Sequence, residues 1–385
     1  MEISSYSINW HYPTSVRVGP GRIGELGKAC KQLGMQAPLL VTDPGLAALP
    51  MVEQALQNCR DAGLNPGLFS AVKGNPTSGN VADGVAALKA GSHDGVIAFG
   101  GGSAIDAAKA IALIAHQSIS LWEAQKPSNV DVSKMLPVVA VPTTAGTGSE
   151  VGQAAVISDE ESHAKRILFH AKMVPPVVIL DPELTVGLPP KLTAATGMDA
   201  LAHNLEAFCV PLFHPMAEGI ALEGMRLVKE YLPRATGNGN DIDARMQMMV
   251  ASTMGCVAFQ RGLGAIHALS HSLGALYDAH HGTLNAIVMP YVLQMNRTAI
   301  EAEMQRAGRY LGLAKPNFDG ILDWVLELRS ELDMPHTLAA IGIDDAQAET
   351  IGAMSVKDPS ARTNPIQLEA AQYQQLFLNA LNGTL

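Results

Sequence analysis

The N-terminal half of the chain alternates short apolar runs with longer amphipathic segments. Four runs are rich in β-branched and aliphatic residues, which is typical of buried parallel strands: Pro38 to Thr42, Gly95 to Phe99, Leu136 to Val141 and Val177 to Leu180. The segments between them carry apolar residues every three or four positions, as helices do: Met51 to Ala62, Asn80 to Ala90 and Ala104 to His116. This alternation predicts βαβ units and therefore an α/β domain built on a parallel sheet.

The pattern changes after Pro189-Pro190. Beyond this pair the β-rich runs stop, and Ala, Leu and Met recur at helical spacing, with breaks at Gly237 to Asn240 and Ala314 to Asn317. Prolines ahead of such a pattern are a common helix start, because the first turn has no use for their missing N–H groups. We expect an α/β domain over residues 1–187 and an all-α domain over residues 188–385.

The charge balance narrows the possible partners. Lys and Arg total 26 against 36 Asp and Glu, so the formal net charge of the 385 residues is −10 at pH 7. Such a field repels phosphate backbones and anionic lipids, which argues against nucleic acid or a membrane surface as a partner. Charged residues are only 16% of the chain and hydrophobic residues 48%. This composition favours a large buried fraction or a subunit interface.

The cysteines and the N-terminus indicate a reducing compartment. None of the four cysteines forms a CxxC pair, so neither a thiolate zinc cage nor a disulfide framework is suggested. Met1 to Tyr12 has neither the basic start nor the apolar core of a secretory signal. No apolar run approaches the roughly 18 residues that a membrane helix needs. We expect a cytoplasmic protein.

A glycine turn follows the second predicted strand. Gly100 to Gly102 lead into Ser103 and the helical segment that begins at Ala104. Glycines let the backbone approach an anion closely, and the free N–H groups and dipole of a helix start favour negative charge. Gly102 and Ser103 are therefore expected to lie nearest a pyrophosphate. A tight turn that binds no ligand is the alternative for such a string.

Two further candidates for nucleotide binding also follow strands. Asp43 comes directly after Pro38 to Thr42, where a carboxylate can accept from the adenosine ribose hydroxyls and repel a 2′-phosphate. This position predicts NAD rather than NADP, with a turn aspartate ahead of Pro44 as the alternative. The hydroxyl-rich loop Pro142 to Glu150 follows the third strand, at the end where open α/β sheets bind ligands.

Candidate metal ligands are concentrated in the C-terminal half. Asp199 and His203 are four positions apart in a helical segment, so both side chains lie on one face. His267 and His271 have the same spacing, and His281 follows shortly after them. One carboxylate and three imidazoles suit Fe²⁺ or Zn²⁺ and leave open positions for a substrate oxygen. The alternative for each pair is a helix cap or a surface pair.

Together these segments resemble the group III, iron-dependent alcohol dehydrogenases. The resemblance rests on the motifs VTD, GGGSAIDAAKA, PTTAGTGSE, LDPELT, ATGMDALAH and HALSHSLGALYDAHHG, which span nearly the whole chain. It implies a Rossmann-like N-terminal domain that binds NAD and a helical C-terminal domain that binds the metal and carries catalysis. The metal is then expected in the cleft between the domains, in a dehydroquinate synthase-like architecture.

The resemblance also implies roles for individual residues. The metal ligands of the family fall on Asp199, His203, His267 and His281. His271 matches a histidine that the family keeps near the metal and the nicotinamide, so a proton-relay or gating role is expected, with helix packing as the alternative. The candidate cofactor contacts are Asp43, Asn75, Gly101, Gly102, Ser103, Thr143, Thr144, Thr147, Val156, Lys165 and Leu184.

One position departs from many simple alcohol dehydrogenases of this family. Arg261, in the string FQRGLG, resembles the FQKGLG of the 4-hydroxybutyrate dehydrogenase branch. We therefore hypothesise that Arg261, together with Arg362, holds a substrate carboxylate by a bidentate contact. An arginine at an interface or on the surface is the alternative.

These implications predict an NAD-dependent dehydrogenase that uses Fe²⁺ or Zn²⁺ to interconvert a primary alcohol and its aldehyde by hydride transfer. Oxidation of 4-hydroxybutyrate on the same scaffold is the alternative. A lyase of the dehydroquinate synthase type needs several basic residues for a phosphorylated substrate, and the Ala-, Leu- and Met-rich helical half offers few. A metal-free reductase of the maleylacetate type and a non-catalytic nucleotide-binding protein are the remaining alternatives. The resemblance implies a homodimer or higher homo-oligomer that acts on a small molecule.

Overall fold

The computed structural model describes residues 12, 14–161 and 164–385. No secretory signal is predicted in Met1 to Tyr12. Of this segment, residues 1–11 lie outside the described residues. None of the helices in the described part of the chain is long and apolar enough to cross a membrane.

The chain divides into two compact units. The α/β unit comprises Pro13–Thr144 and Gly148–Gly187, and the helical unit comprises Leu188–Leu385 together with Ala145–Thr147. The segment Ala145–Thr147 lies in the loop after the strand Val138–Pro142, from which two residues separate it.

A parallel sheet forms the centre of the α/β unit. The strands are β1 (Ser15–Val18), β2 (Pro38–Val41), β3 (Gly67–Phe69), β4 (Gly95–Gly100), β5 (Val138–Pro142), β6 (Ala154–Asp159), β7 (Ala164–Phe169) and β8 (Val177–Leu180). Six of them form one parallel sheet in the order β1-β8-β5-β4-β2-β3, while β6 and β7 form an antiparallel hairpin. The four predicted strands are the four inner ones and are confirmed, whereas the edge strands and the hairpin are not predicted by the pattern.

The chain order of the strands reverses between β2 and β4. β2 pairs with β3 on one side and with β4 on the other, so Val41 lies opposite both Phe69 and Ala98. In an open parallel sheet, such a reversal leaves a crevice outside the carboxyl ends of the two strands, where ligands bind. Asp43 follows β2 and Gly101 follows β4, so both residues flank this position.

Helices cover both faces of the sheet. They are α1 (Leu26–Gln32), α2 (Pro44–Ala47), α3 (Pro50–Asp61), α4 (Ser78–Ala90) and α5 (Gly102–Ile114). Alternate strand residues such as Ile97 and Phe99 share a core with α1 and α3. Intervening residues such as Ala98 are equally buried, because α5 packs against β4 from the other side. This layering explains the continuous apolar runs of the inner strands.

The helical unit is built around one buried helix. Its helices are α6 (Pro190–Cys209), α7 (Pro215–Gly237), α8 (Ile242–Ala258), α9 (Ala265–Tyr277), α10 (His281–Tyr310), α11 (Phe318–Glu331), α12 (Ala348–Ser355) and α13 (Ala370–Asn382). α6 packs against α7, α8 and α10, and its polar residues from Asn204 back to Asp199 are buried with the apolar ones. A helix that is buried all round has to supply its polar side chains with internal partners.

Candidate metal centre and cofactor site

Three helices of the helical unit bring one carboxylate and three imidazoles together. α6 carries Asp199 and His203 one turn apart, α9 carries His267 in its first turn, and α10 begins at His281. Asp199, His203 and His267 are buried, and one potential ligand atom of each lies within 4.8 Å of the others. The structure therefore brings the predicted ligands together from separate helices.

The distances within this group suit a single small cation. Measured from Oδ1 of Asp199, Nδ1 of His203 and Nε2 of His267 are each 3.8 Å away, and Nε2 of His281 is 3.6 Å away. Two ligand atoms that each lie about 2.1 Å from one ion are at most about 4.2 Å apart. All three separations fall inside this limit, so each imidazole can share an ion with the carboxylate of Asp199.

An unpaired nitrogen supports the same interpretation. Nδ1 of His203 is buried and has no hydrogen-bond partner within the described ranges. An unpaired polar atom in the interior is costly, so native folds normally supply it with a partner. Carboxylate and imidazole without thiolate form a donor set that Fe²⁺ and Zn²⁺ accept. The residues present therefore fit a divalent ion of this class.

The charges of this group depend on one another. Burial acts to raise the pKa of Asp199, but the surrounding imidazoles hold it below its usual value. Burial lowers the pKa of His203 to about 4 despite the nearby carboxylate. Burial also opposes the charge of His267, but the nearby carboxylates of Asp199 and Glu206 raise its pKa to about 9. Metal binding at this group therefore competes with protonation of the imidazoles.

Gly282 explains how α10 can begin so close to α6. A Cβ atom at this position would lie 2.1 Å from the carbonyl oxygen of Ala195 and 3.3 Å from Cβ of Asp199. No side chain fits into that gap. The glycine of the His-His-Gly string therefore allows α10 to start beside the carboxylate, which brings His281 within reach of it.

Two polar residues of this group are absent from the sequence-based candidates. Oε2 of Glu206, on α6, lies 2.6 Å from Nδ1 of His267. Asn285, one turn into α10, donates from Nδ2 to Oδ1 of Asp199 at 2.7 Å, and the same Nδ2 is 3.2 Å from Nε2 of His281. Helical spacing from Asp199 and from His281 is the signal that could have identified both residues.

His271 lies beside this group. Its ring stacks on that of His281 at 5.4 Å and meets the ring of His267 edge-on at 5.8 Å. Nδ1 of His271 is 3.0 Å from Oδ2 of Asp358, whose other oxygen accepts from the backbone N–H of Ser360. A histidine whose ring is held on one nitrogen keeps the other nitrogen for proton exchange. No spacing in the sequence links Asp358 to His271, so this partner could not be predicted.

In the α/β unit, several predicted cofactor residues follow the carboxyl ends of the strands. Asp43 caps α2 by accepting from the N–H of Leu46 at 3.0 Å. Gly101 is the N-cap residue of α5, and Gly100 before it has a φ of 145°. A Cβ atom at Gly100 would lie 2.8 Å from Cβ of Ala104, so the turn into α5 requires glycine. Because the sheet is parallel, these turns share one edge of it.

Hydrogen bonds connect further candidates to this edge. Ser103 donates to the backbone carbonyl that precedes Asn75. Lys165, on β7, donates from Nζ to Oδ1 of Asn75 at 2.8 Å. The N–H of Val156, on β6, donates to Oδ2 of Asp106 at 2.9 Å. The hairpin is thus tied to α5, the helix that starts at the glycine turn.

The remaining cofactor candidates have different surroundings. Thr143 and Thr144 follow β5, and the N–H of Thr143 donates to the carbonyl of Gly100 at 3.0 Å. Leu184 is buried in the same core cluster as α1 and α3, so packing accounts for its side chain. Thr147 belongs to the segment that clusters with the helical unit. The structure therefore groups Thr143 and Thr144 with the glycine turn.

A buried lysine that the sequence analysis does not single out holds the loop after β5. Lys109, on α5, is 1% exposed. Its ammonium group donates to the carbonyl oxygens of Ser149, Gly152 and Ala154 and lies 3.2 Å from Oδ1 of Asp106. Asp106 in turn accepts from the hydroxyl of Ser149. This network joins α5 to the loop and to the first strand of the hairpin.

Arg261 is buried at the end of α6, where its guanidinium binds backbone carbonyls. Its side chain is 4% exposed, and its guanidinium lies 3.1 Å from Oε1 of Glu218. It also donates to carbonyl oxygens at the end of α6 and just beyond, those of Ala207, Phe208, Val210 and Leu212. The last carbonyls of a helix lack partners within it, and this arginine satisfies them. The geometry favours this role over the predicted contact with a substrate carboxylate, and Arg261 is not a surface arginine either.

Replacing Arg261 with methionine is expected to lower the free energy of unfolding by about 3 kcal/mol, because buried carbonyls lose their donors. Urea unfolding followed by circular dichroism measures this change. Arg309→Met, at an exposed position on α10, is the matched control and should change stability by less than about 0.5 kcal/mol. A stable Arg261→Met variant that loses turnover on hydroxyacids alone would contradict the structural role.

Two family models match the chain. A model described as iron-containing alcohol dehydrogenase matches residues 13–182. A second, described as the C-terminal part of the Fe-containing alcohol dehydrogenase family, matches residues 193–381. The first match covers the parallel sheet, and the second covers the helices that carry the carboxylate and the imidazoles.

Individual relatives are similar over their whole length. A 4-hydroxybutyrate dehydrogenase of Cupriavidus necator is 38% identical over 95% of this chain and 98% of its own. An NAD-dependent methanol dehydrogenase of Bacillus methanolicus is 34% identical over 97% of this chain and 100% of its own. Among solved structures, a 1,3-propanediol oxidoreductase matches with a TM-score of 0.93 and 31% identity, covering 98% of this chain and 100% of the other.

Proposed function

The chain belongs to the iron-containing alcohol dehydrogenase family, and on that premise we propose that it interconverts a primary alcohol and its aldehyde by hydride transfer with NAD. The observation that carries this proposal is the buried group of Asp199, His203 and His267, with His281 beside it. As an oxidoreductase of this family, the protein is neither a lyase nor a non-catalytic nucleotide-binding protein. The complete ligand set also argues against a metal-free reductase.

The two parts of the chain have separate tasks in this proposal. Residues 1–187 bind NAD, and residues 188–385 bind the metal and carry catalysis. Asp199 and the three imidazoles hold Fe²⁺, with Zn²⁺ as the alternative, because the same donors bind either ion. When bound, the ion supplies a Lewis acid that polarises the oxygen of the alcohol or aldehyde. The helices contribute by holding the ligands in place before substrate arrives.

His271 is the proposed proton relay. Asp358 holds Nδ1 of its ring at 3.0 Å, which leaves Nε2 to accept a proton released on alcohol oxidation and to return it on aldehyde reduction. The side chain of His271 is 16% exposed, so the proton can pass on to water. Asp358 is a positioning residue in this scheme, because it acts through the imidazole.

The edge of the parallel sheet is the proposed NAD site. In this proposal the N–H groups of Gly102 and Ser103, at the start of α5, donate to the pyrophosphate. The carboxylate of Asp43 accepts from the adenosine ribose and disfavours a 2′-phosphate. NAD itself supplies the hydride acceptor. The further proposed contacts are Asn75, Gly101, Thr143, Thr144, Thr147, Val156, Lys165 and Leu184. The NAD-dependent relative supports this choice of cofactor.

The proposal also includes a substrate class, an oligomeric state and a location. The methanol and 1,3-propanediol relatives support a small alcohol, and the 4-hydroxybutyrate relative supports a hydroxyacid as the second candidate. Because Arg261 is bound to helix-end carbonyls, exposed Arg362 is the remaining candidate for a residue that binds a substrate carboxylate.

The charged fraction of only 16% supports a homodimer or larger homo-oligomer, and the absence of a CxxC pair supports a cytoplasmic location.

Initial rates of NADH formation test the proposal. Anaerobically purified, Fe²⁺-loaded protein is given 1-butanol, 1,2-propanediol, 1,3-propanediol and 4-hydroxybutyrate, each with an EDTA-stripped control. Metal-dependent turnover that is fastest on butanol or a diol supports the primary alcohol assignment. A strong preference for 4-hydroxybutyrate moves the assignment to hydroxyacid oxidation. Turnover that survives complete metal removal contradicts the metal centre.

Replacing Asp43 with asparagine is expected to relax the preference for NAD. Asparagine caps a helix as well as aspartate does, so α2 keeps its cap while the negative charge is lost. Relief of the repulsion should raise kcat/KM for NADP⁺ relative to NAD⁺ about tenfold, equivalent to about 1.4 kcal/mol. Asp61→Asn, at an exposed position on α3, is the control. An unchanged ratio would place the adenosine ribose away from Asp43.

A further inference from the structure

We propose that Glu206 is a positioning residue of the metal centre: its carboxylate keeps a proton on Nδ1 of His267, so that Nε2 presents its lone pair to the ion. This inference rests on the proposed function, because it takes His267 to be a metal ligand. It adds a residue whose effect passes through the imidazole and not through the ion itself.

Both oxygens of Glu206 are engaged on α9. Oε2 lies 2.6 Å from Nδ1 of His267, and Oε1 accepts from the backbone N–H of Ile266 at 2.7 Å. The second bond fixes the orientation of the carboxylate, and Glu206 is 6% exposed, so water does not compete strongly for it. An ionised carboxylate can only accept, so the nitrogen that faces it has to carry the hydrogen.

The other side of the ring points to the same tautomer. Nδ2 of Asn285 lies 2.7 Å from Oδ1 of Asp199 and 3.4 Å from Nε2 of His267. The reverse orientation of this amide would set two acceptor oxygens against each other, so the N–H₂ group faces Asp199 and the imidazole. Nε2 of His267 therefore faces a donor, and a lone pair at Nε2 suits this position. A partner on the far nitrogen is the common way in which proteins orient a metal-binding histidine.

The spacing along α6 explains why Glu206 reaches this place. Asp199, His203 and Glu206 are at positions i, i+4 and i+7 of one helix, which lie on one face. The same face therefore supplies two proposed ligands and the group that orients a third. The alternative is that Glu206 only stabilises the start of α9. Glu206 accepts from the N–H group of Ile266 there, as Asn364 does from that of Ala265.

The test is the metal affinity of Glu206→Gln. Glutamine keeps the volume and still accepts from Ile266 through Oε1, but it turns an N–H₂ group toward Nδ1 of His267. The ring then has to accept there and carry its hydrogen on Nε2, which blocks the ion. The dissociation constants for Co²⁺ and Zn²⁺, measured on metal-stripped protein by competition with a chelator, are expected to rise about 10- to 100-fold.

Two controls separate the possible causes. Asn364→Ala removes the neighbouring acceptor at the start of α9 and should leave the dissociation constant unchanged. Equal weakening by both variants means that Glu206 acts through the helix start and overturns the inference, as does wild-type affinity in Glu206→Gln. His267→Ala tests the premise: metal binding as tight as in the wild type contradicts the proposed function instead.

A measurement on the unmodified enzyme covers the case in which Glu206→Gln does not fold. Protein labelled with ¹⁵N-histidine and loaded with Zn²⁺ gives imidazole nitrogen shifts that report the tautomer, and comparison with His267→Ala assigns the relevant ring. A hydrogen on Nδ1 of His267 is expected. A hydrogen on Nε2 would overturn the role of Glu206.

Discussion

The variant Asp199→Asn is expected to lose its stoichiometric metal and to turn over alcohol at least about a thousandfold more slowly. Asp199 is the carboxylate from which all three imidazoles lie within 3.8 Å. Asparagine has the same shape but no charge, so it removes the anionic ligand without opening a cavity. A metal ion contributes several kcal/mol to stabilising developing charge, and about 4 kcal/mol corresponds to a factor of about a thousand.

Metal content by mass spectrometry and NADH formation at saturating alcohol check this prediction together. Asp345→Asn, at an exposed position in the same unit, should retain both the metal and the rate. Circular dichroism establishes that the variant is folded. Full activity and a full complement of metal in folded Asp199→Asn would mean that the ion is held elsewhere.

The position of the metal centre on a buried helix has a physical consequence. Asp199 and His203 are 3% and 5% exposed in the middle of α6, where unpaired polar groups are costly. A hydrogen bond that Asn285 donates to Asp199 and the nearby imidazoles meet part of this cost, but Nδ1 of His203 has no partner in the described part of the chain. An ion that occupies this group would therefore stabilise the helical unit as well as support the reaction.

The inner strands of the sheet could be predicted because both of their faces are buried. Such strands are continuous apolar runs, and β2, β4, β5 and β8 all have this character. β1 and β3, at the edges, have only four and three residues and are only partly buried, so no continuous apolar run marks them. The sequence pattern does not predict the β6–β7 hairpin, because Lys165 and Arg166 interrupt the run of apolar residues in β7.

The candidate site could be predicted only as far as helical spacing extends. Asp199 with His203 is a visible pair within one helix, whereas the approach of His281 to them depends on tertiary packing. Glu206 has the helical spacing that could have marked it, but a glutamate in a helix is usually a solvated residue, so the spacing alone does not single it out. The spacing of Arg261 likewise does not reveal that the end of α6 needs donors. The substrate hypothesis for Arg261 rests on the resemblance of its string to FQKGLG, which carries no information about these carbonyls.

The second large effect is expected for Lys109→Met, which should lower the free energy of unfolding of the α/β unit by about 3–5 kcal/mol. Methionine matches the stem of lysine in length, so the change mainly removes the charge. Asp106 then loses its buried partner, and the carbonyls of Ser149, Gly152 and Ala154 lose a donor. Removing one partner of a largely buried ion pair costs about this much, because the remaining carboxylate is only 14% exposed.

The same network predicts an effect on the proposed cofactor site. Lys109 and Asp106 connect α5, which begins at the glycine turn, to the loop after β5 and to Val156 on β6. Lys109→Met should therefore weaken NADH binding, measured by fluorescence titration, at temperatures where urea unfolding shows the protein to be folded. Lys89→Met, at an exposed position on α4, is the control for both measurements. Wild-type stability of Lys109→Met would show that the buried ammonium group does not hold the loop in place.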